Sequence, residues 1–509
     1  MSKRLRVLLI LGSLVLILAA MASLVFSSGS RNALQKYERE LRAKGEKLTF
    51  TELTRGRRSS GGDSYTVITN AAATLSNGRL DPSLLDVQRY VGPGQASVTW
   101  RQASRTYRSV GKQKAGPLGS LDAWEEYAAQ IQAAQSTLRE LRGALKMPTT
   151  DAGPWTTWTN MVVTPRINFA AIRTAAKWLT VAVEIDLHQG RLEEGLQDLE
   201  ALAALARMER DEYSLVAQMT RVSVAGLGLG VTWEALQAPG WTEPQLERLQ
   251  RAWELVNLAA ALETGFVGQR AVINEVFAQL RHPRGPQTSL ILGPPIAITS
   301  SGWSPPKQTF IEAWRDYLYL HAYKATCIND DELFYLRSMQ ESLGAIQLLK
   351  AQRPWAEAKE RMDKAVANLN RTASSFRRLR YPISMMAIPS FTHAGEKAIR
   401  VETERQMILA VVALKRFQLR HGKPSPSLEA LVPELLPTVP YDYLSAKPLR
   451  YRLRADGSCL LYSVGEDGKD DGGDPTPPPG TPPGLWEGRD AVWPSPAIEP
   501  SVSPPQPDG

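Results

Sequence analysis

Hydrophobic residues recur at intervals of three and four along much of the chain, which is the spacing of one face of an α-helix. One such face fills residues 167–189, and a leucine stripe starts again at Leu192. Gly190 lies between them and suits the left-handed conformation that ends a helix. Two helices joined in this way form an antiparallel hairpin. The predicted fold is therefore mainly α, an irregular array of helical hairpins.

The same periodicity, together with changes in composition, predicts how the chain is divided. The predicted helices beyond the first hairpin are 31–44, 121–145, a helix from Thr242 through the Leu262 region, 309–326, 331–349, 355–369 and 396–421. The predicted units are an anchor or signal segment (1–27), a juxtamembrane helix with irregular structure and a short strand near 98–110 (28–119), a helical domain (120–281), a Pro/Gly-rich loop (282–308), a second helical region (309–402), a small C-terminal α+β module (403–493) and a disordered Pro-rich tail (494–509).

A stretch of twenty residues without a charge, 7–26, follows Lys3, Arg4 and Arg6. As a helix it spans about 30 Å, enough to cross a bilayer once. This predicts an N-terminal transmembrane helix. The alternative is a cleavable signal peptide, since residues 20–22 have the small-x-small pattern of a cleavage site. The basic residues that follow favour a cytoplasmic body by simple counting, but they alternate with acids, and we expect the body outside the cytoplasm.

The net charge of +8 is spread along the chain, with 60 Lys and Arg among 52 Asp and Glu. Two dense basic spots, 55–58 and 377–380, have no interleaved aromatic recognition motif. We therefore expect solvated surfaces and no nucleic-acid partner, with lipid headgroups beside the first spot. The only two cysteines, Cys327 and Cys459, exclude a disulfide framework and are expected to be buried free thiols, with a single bridge as the alternative.

Motifs that carry catalysis are missing from the sequence. It has no His-Glu-x-x-His, no Gly-x-Ser-x-Gly and no Gly-x-x-x-x-Gly-Lys pattern. Gly226, Gly228 and Gly230 miss the dinucleotide-binding spacing and instead indicate close helix packing. The acidic pairs at 125–126 and 193–194 are expected to face water. We therefore predict no active site and a protein that is not an enzyme.

One segment near the C-terminus has a strand pattern. Apolar and basic residues alternate over 449–454, the Asp-Gly pair at 456–457 is typical of a tight turn, and 459–464 forms a returning strand. This predicts a half-buried β-hairpin. It is followed by 465–474, a glycine-rich loop with five carboxylates and one lysine, which suits either a solvated turn or a hard cation.

The order of features over residues 405–493 resembles the soluble part of the major pseudopilin of type II secretion systems. The resemblance is carried by a helix that ends in His-Gly-Lys-Pro (421–424), Leu-Glu-Ala-Leu (428–431), Pro-Tyr-Asp (440–442), Lys-Pro-Leu-Arg-Tyr (447–451), Leu-Tyr-Ser-Val-Gly-Glu-Asp-Gly (461–468) and Arg-Asp-Ala-Val-Trp (489–493). It implies a calcium site in which Asp467 and Asp490 are side-chain ligands and Val464 is a carbonyl ligand. Asp471 and Asp474 are further candidates within the same acidic loop.

Two departures limit this resemblance. Prolines inserted at 477–479 and 482–483 are expected to hold Asp490 away from the loop. The family's cleavage glycine is followed by a helix with a glutamate at its fifth position, whereas Gly12-Ser13 here has Ile17 at that place. Ordinary assembly into a pilus is therefore not expected. The whole arrangement resembles uncharacterised bacterial membrane-anchored proteins that carry such a tail.

These patterns predict a single-pass protein of the bacterial inner membrane with a periplasmic body, or a secreted or periplasmic one after signal cleavage. Its expected role is a non-enzymatic helical scaffold that binds other proteins through a possible calcium-binding tail. One alternative is an accessory component of a secretion or pilus-like system. Another is a hydrolase whose carboxylates come from separate helices, which a carboxylate-lined cleft with perturbed pKa values would favour.

Overall fold

A computed structural model describes residues 28–55, 63–78, 80, 88–101, 123–147, 168–281, 310–373, 380–388 and 390–497. These residues are mainly helical with small sheets, which confirms the prediction of a mainly α fold. The helices are α1 (28–43), α2 (Phe50–Thr54), α3 (Asp63–Ser76), α4 (Ala123–Leu145), α5 (Phe169–His188), α6 (Leu192–Arg207), α7 (Leu215–Leu236), α8 (Glu243–Glu254), α9 (Ala259–Arg281), α10 (Phe310–Thr326), α11 (Ile328–Lys350), α12 (Trp355–Ala373), α13 (Pro382–Ala387) and α14 (Ser390–His421).

The hairpin of α5 and α6 forms as the periodicity predicts. Gly190 has φ of +71°, the left-handed value that a helix end requires. Helix α8 begins with the predicted capping box, in which the side chain of Gln245 accepts a hydrogen bond from the backbone N–H of Thr242 at 3.1 Å. The helix periodicity and the local capping signals therefore agree in this part of the chain.

The predicted helix from Thr242 through Leu262 is wrong in one respect, because it is two helices. Helix α8 ends at Glu254, and α9 starts at Ala259. The backbone N–H of Leu258 donates to a buried carboxylate oxygen of Glu402, 3.0 Å away on α14. Asn257 then accepts a hydrogen bond from the N–H of Ala260 and caps the new helix. A partner remote in sequence thus fixes the break.

Helix α7 is the centre of the helical body and packs against α5, α6, α9 and α14. A Cβ placed on Gly228 would lie 2.7 Å from the ring of Trp253, so the predicted close packing is confirmed at Gly228, whereas a Cβ on Gly226 would meet Val401 at 3.6 Å, an ordinary contact distance. In the described residues α7 is the one helix long and apolar enough to cross a membrane, but most of it is buried inside the protein. The predicted anchor at 7–26 lies outside the described residues.

The region after the predicted anchor is tied to the body. Helix α1 ends where predicted, at Gly45 with φ of +83°, and buries Leu34 and Leu41. A small hairpin of β1 (Tyr90–Gly92) and β2 (Gln95–Ala96) turns at Pro93-Gly94. The strand predicted near 98–110 is wrong at its start, where Thr99–Arg101 is a turn of 3₁₀ helix; residues 102–110 are not among those described.

The C-terminal part combines α14 with short strands. They are β3 (Tyr441–Asp442), β4 (Lys447–Pro448), β5 (Arg450–Leu453), β6 (Cys459–Ser463), β7 (Ala491–Val492) and β8 (Ser495–Pro496). Strands β5, β6 and β7 form an antiparallel sheet that includes the predicted hairpin, with Gly457 in its turn at φ of +81°. Strand β8 lies where composition predicts disorder, and it pairs in parallel with β2.

Two buried clusters form the core of the described residues. The larger one runs from Leu34 to Val464, and the smaller one lies between α14 and the sheet. The proposed boundary at residue 403 falls within α14, so this helix contributes to both clusters. In addition, Trp233 of α7 donates through Nε1 to the carbonyl oxygen of Pro494 at 3.0 Å. The C-terminal part is therefore packed into the helical body.

Two expectations about side-chain burial are wrong. Both cysteines are free, as expected, but Cys327 is half-buried and Cys459 is exposed because it faces outward at the start of β6. Alternation along β5 is also incomplete. Leu449 and Tyr451 turn inward, whereas Leu453 is exposed at the tip of the hairpin, beyond the reach of the helix behind the sheet.

We expect Gly228→Ala to destabilise the protein by about 1–3 kcal/mol, because the added methyl group overlaps the Trp253 ring in a packed core. The matched control is Gly143→Ala in α4, where a Cβ meets nothing within 4 Å. That change should gain about 0.5–1 kcal/mol from helix propensity alone. Thermal unfolding of both variants measures the difference, and equal midpoints would contradict the packing argument.

Candidate functional site

The acidic loop that follows β6 is held beside β7 by the sheet. Ser463 pairs with Ala491, and continuing this antiparallel register places Val464 opposite Asp490. The proline insertions therefore do not hold Asp490 away from the loop, contrary to the expectation from sequence. Because β7 begins directly after Asp490 and pairs with β6, the position of Asp490 does not depend on the path of the residues between the acidic loop and Asp490.

Asp490 is fully buried, and its carboxylate accepts hydrogen bonds from backbone N–H groups of the loop. The Gly473 N–H lies 2.6 Å from Oδ2, that of Asp474 3.1 Å from Oδ2, and that of Asp471 3.4 Å from Oδ1. Burial raises the pKa of Asp490, while these N–H groups act in the opposite direction. Asp490 thus serves as an internal anion around which the loop folds.

The other candidate ligands point elsewhere. Asp467 is half-exposed and accepts the N–H of Lys469 at 3.0 Å. Asp474 accepts the N–H of Thr476 and pairs with Arg489, and Asp471 is exposed. Among the described residues no group of three or more His, Cys, Asp or Glu is arranged to hold a metal ion. The structure brings Val464 and Asp490 together, but it does not gather the acidic loop around one point.

Asp442 organises the same region, and sequence reasoning missed this role. This buried carboxylate of β3 accepts hydrogen bonds from Ser463 Oγ (2.8 Å) and from the N–H of Val464 (3.2 Å) at the end of β6. It also accepts the N–H of Leu444 and the hydroxyl of Ser445 in its own turn. A buried charge needs such partners. Asp442 therefore fixes the start of the acidic loop and shows no open face for a ligand.

A second candidate site is a cleft between α4, α5 and α6, with a volume of 330 Å³. Two carboxylates, Asp186 of α5 and Asp198 of α6, line it together with Arg191 and three glutamines. Asp198 is fully buried, and its Oδ1 accepts a hydrogen bond from Arg142 Nη1 at 2.8 Å. Among the described residues its Oδ2 has no hydrogen-bond partner although it is buried.

The cleft perturbs both acids. Burial raises the pKa of Asp198 to about 7, against the opposing effect of Arg142. Burial also raises the pKa of Asp186, while Arg191, whose Nε lies 3.0 Å from Oδ1, acts to lower it. Near neutral pH, the protonated and the ionised forms of Asp198 are therefore both populated. A group of this kind can donate and accept a proton, the property required for general acid–base chemistry.

The sequence contains a signal for this cleft that the motif search does not use. Asp186 lies three residues after Val183 on the apolar face of α5, and Asp198 lies between Leu196 and Leu199 on the leucine stripe of α6. An acid within an apolar stripe is a buried polar group that needs a partner. The predicted water-facing pair at 193–194 lies in the first turn of the same helix, where Glu193 contacts Gln245 and Arg248.

No family model, no curated protein and no solved structure matches the chain. The resemblance of residues 405–493 to pseudopilins and the metal site that it implies therefore stay predictions.

We expect the ionisation of Asp198 to weaken the fold as pH rises. A carboxyl with pKa about 7 in the folded protein and an ordinary value near 3.8 in the unfolded chain binds more protons when folded. Between these values the free energy of unfolding therefore falls by up to about 1.4 kcal/mol per pH unit. Asp198→Asn cannot ionise, so its stability relative to the wild type should increase from pH 5 to pH 8.

Thermal unfolding of both proteins at the two pH values measures this change. The control is Asp467→Asn, which removes an exposed carboxylate and should keep the pH dependence of the wild type. An Asp198→Asn protein with the same pH dependence as the wild type would show that Asp198 does not titrate in this range.

Proposed function

We propose that the protein is a bacterial inner-membrane protein with a single N-terminal anchor and a periplasmic helical body that acts as a non-enzymatic scaffold for other proteins. The observation that supports this proposal is the way the residues after the predicted anchor pack on the body. Residue 28, the first that is described, is already helical and lies just after the predicted span 7–26. Helix α1 then packs on the body through Leu34 and Leu41.

The junction continues through buried polar contacts. Arg270 of α9 is fully buried and donates through Nη2 to Glu46 at 2.8 Å and to the carbonyl oxygen of Lys47 at 3.0 Å. Glu275, also of α9, accepts the N–H of Phe50 at 2.9 Å. These contacts fix the chain directly after α1 to a central helix. A segment fixed in this way suits a body held at a constant orientation to a membrane.

The tail supports a scaffold role because it belongs to the same packed unit. Strand β8 pairs with β2, and its backbone continues the hydrogen bonding from Ala497 N–H to the carbonyl of Ala96 at 2.8 Å. A rigid unit loses little conformational entropy when a partner binds to its surface. The scaffold proposal therefore extends over the C-terminal sheet as well as the helices.

Anchoring is tested with the full-length protein carrying a C-terminal tag. We expect it in the membrane fraction, with the tag open to protease only after the outer membrane is permeabilised. The double variant Leu14→Lys/Leu16→Lys should leave the membrane fraction, because each lysine costs about 2.5–3.5 kcal/mol at the centre of a span. The control Leu14→Ile/Leu16→Ile should stay there. Wild-type protein in the cytosolic fraction would contradict the proposal.

Calcium binding by the tail is part of this proposal. The loop N–H groups compete with a cation for Asp490, so we expect weak binding, of the order of 10⁻⁴–10⁻³ M as in extracellular modules. Calorimetric titration of the full-length protein with calcium measures it. Asp467→Asn should remove the heat without unfolding the loop, since Asp467 is half-exposed and bonded only within its own turn. A wild-type titration without heat would exclude the site.

A hydrolase is the second candidate function, and the cleft of Asp186 and Asp198 favours it. The cleft supplies one carboxyl with pKa about 7 and a second carboxylate paired with Arg191. In such a pair the first group acts as the acid and the second as the base. Hydrolysis of glycoside, ester or peptide substrates that Asp198→Asn abolishes would replace the scaffold proposal by this one.

A further inference from the structure

A second, larger cleft opens on the other side of Arg142, where the C-terminal ends of α4, α6 and α8 meet. Its volume is 670 Å³. We call it the basic cleft, because six cationic side chains and one carboxylate, Glu200, line it. The cationic side chains are Arg142, Lys146, Arg207, Arg210, Arg248 and Arg251.

Helix dipoles explain only part of this charge. Each helix C-terminus is equivalent to about half a negative charge, so three of them attract between one and two cations. Four of the six have carboxylate partners: Arg142 pairs with Asp198, Arg210 with Asp211, Arg248 with Glu193 and Glu200, and Arg251 with Glu247. Carboxylates thus offset the charge of these four cations, and the excess positive charge of the cleft comes from Lys146 and Arg207.

The other two cations have no such partner. Lys146 is exposed, and no ion pair is formed by it or by Arg207 within the described part of the chain. Arg207 is half-buried, and its Nε is buried without a hydrogen-bond acceptor among the described residues. Burial and the neighbouring Arg210 both lower the pKa of Arg207. A half-buried arginine beside another cation, with no carboxylate partner among the described residues, is a suitable contact for an external anion.

Apolar groups lie beside these cations. Met147 is 57% exposed and Leu255 is 63% exposed, and both line the basic cleft with Leu145 and Ala204. Arginine and methionine beside an exposed leucine are typical of protein interfaces, whereas a small phosphate ligand has no use for the apolar rim. The cleft is also an open groove rather than a closed pocket, which suits an extended chain.

We propose that the basic cleft binds an acidic segment of a partner protein, with carboxylates on Lys146 and Arg207 and an apolar side chain between Met147 and Leu255. This inference rests on the proposed scaffold function and names the kind of partner. Because the cleft is positively charged, binding should weaken as the salt concentration rises. The apolar rim determines where along the cleft the apolar side chain of the segment lies.

The test is fluorescence anisotropy with the full-length protein in detergent and a labelled peptide of sequence Glu-Asp-Leu-Glu-Asp-Leu-Glu-Asp. We expect saturable binding that weakens with salt, and no binding of the amide counterpart Gln-Asn-Leu-Gln-Asn-Leu-Gln-Asn. Lys146→Gln/Arg207→Gln should weaken binding roughly ten-fold, the effect of about 1.4 kcal/mol. The single variant Lys146→Gln changes an exposed side chain and should lose part of the peptide affinity, so it serves as the test if the double variant folds poorly. The matched control Lys397→Gln/Lys423→Gln removes two exposed cations elsewhere and should bind as the wild type does.

Three results would overturn the inference. The first is no binding of the acidic peptide, and the second is equal binding by the wild type and the Lys146→Gln variant. The third is displacement of the peptide by inorganic phosphate at concentrations far below the chloride concentration needed for the same displacement. The last result would make the cleft a phosphate site. Peptide binding by a protein that fractionates outside the membrane would leave the cleft assignment standing and reject only the anchoring proposal.

Discussion

Helix α7 packs against α5, α6, α9 and α14, so the polar groups on its buried faces must find their partners inside the protein. Gln218 donates to the carbonyl oxygen of Glu209 at 3.0 Å, and Arg221 donates to that of Ala206 at 2.9 Å and to Gln218 itself. These bonds hold the turn between α6 and α7. Because an unpaired buried donor costs about as much as a lost hydrogen bond, the neighbours of α7 have little freedom to move.

The same constraint joins distant parts of the chain. At the C-terminal end of α7, Glu234 accepts the N–H of Thr99 at 2.9 Å, while Trp233 donates to the carbonyl oxygen of Pro494. The segment after β2 and the tail are thereby tied to one helix. The tail has a small buried cluster of its own between α14 and the sheet, but the bond from Trp233 to Pro494 joins it to the helical body. Any ligand of the C-terminal sheet acts on a unit that includes the helical body.

Local signals in the sequence predict much of this fold, and remote partners explain the rest. The bounds of α5 and α6 follow from the spacing of apolar residues and from Gly190, because each of these signals involves residues within one or two helical turns of each other. The break before Ala259 depends on Glu402, and the position of Asp490 depends on its pairing with β6. Neither partner can be found from spacing. For the same reason the composition of the acidic loop suggests a cation site, but only the resemblance adds Asp490 to it.

Arg142 links the two clefts of the helical body. It donates to Asp198, which belongs to the carboxylate-lined cleft, and it also lines the basic cleft. With a pKa of about 7, Asp198 is an anion above neutrality and offsets the charge of Arg142; below neutrality it is protonated, and Arg142 is left uncompensated. The positive charge that the basic cleft presents therefore increases as pH falls. Protonation of a carboxylate buried on one side of α6 thus strengthens the attraction for an anion on the other side.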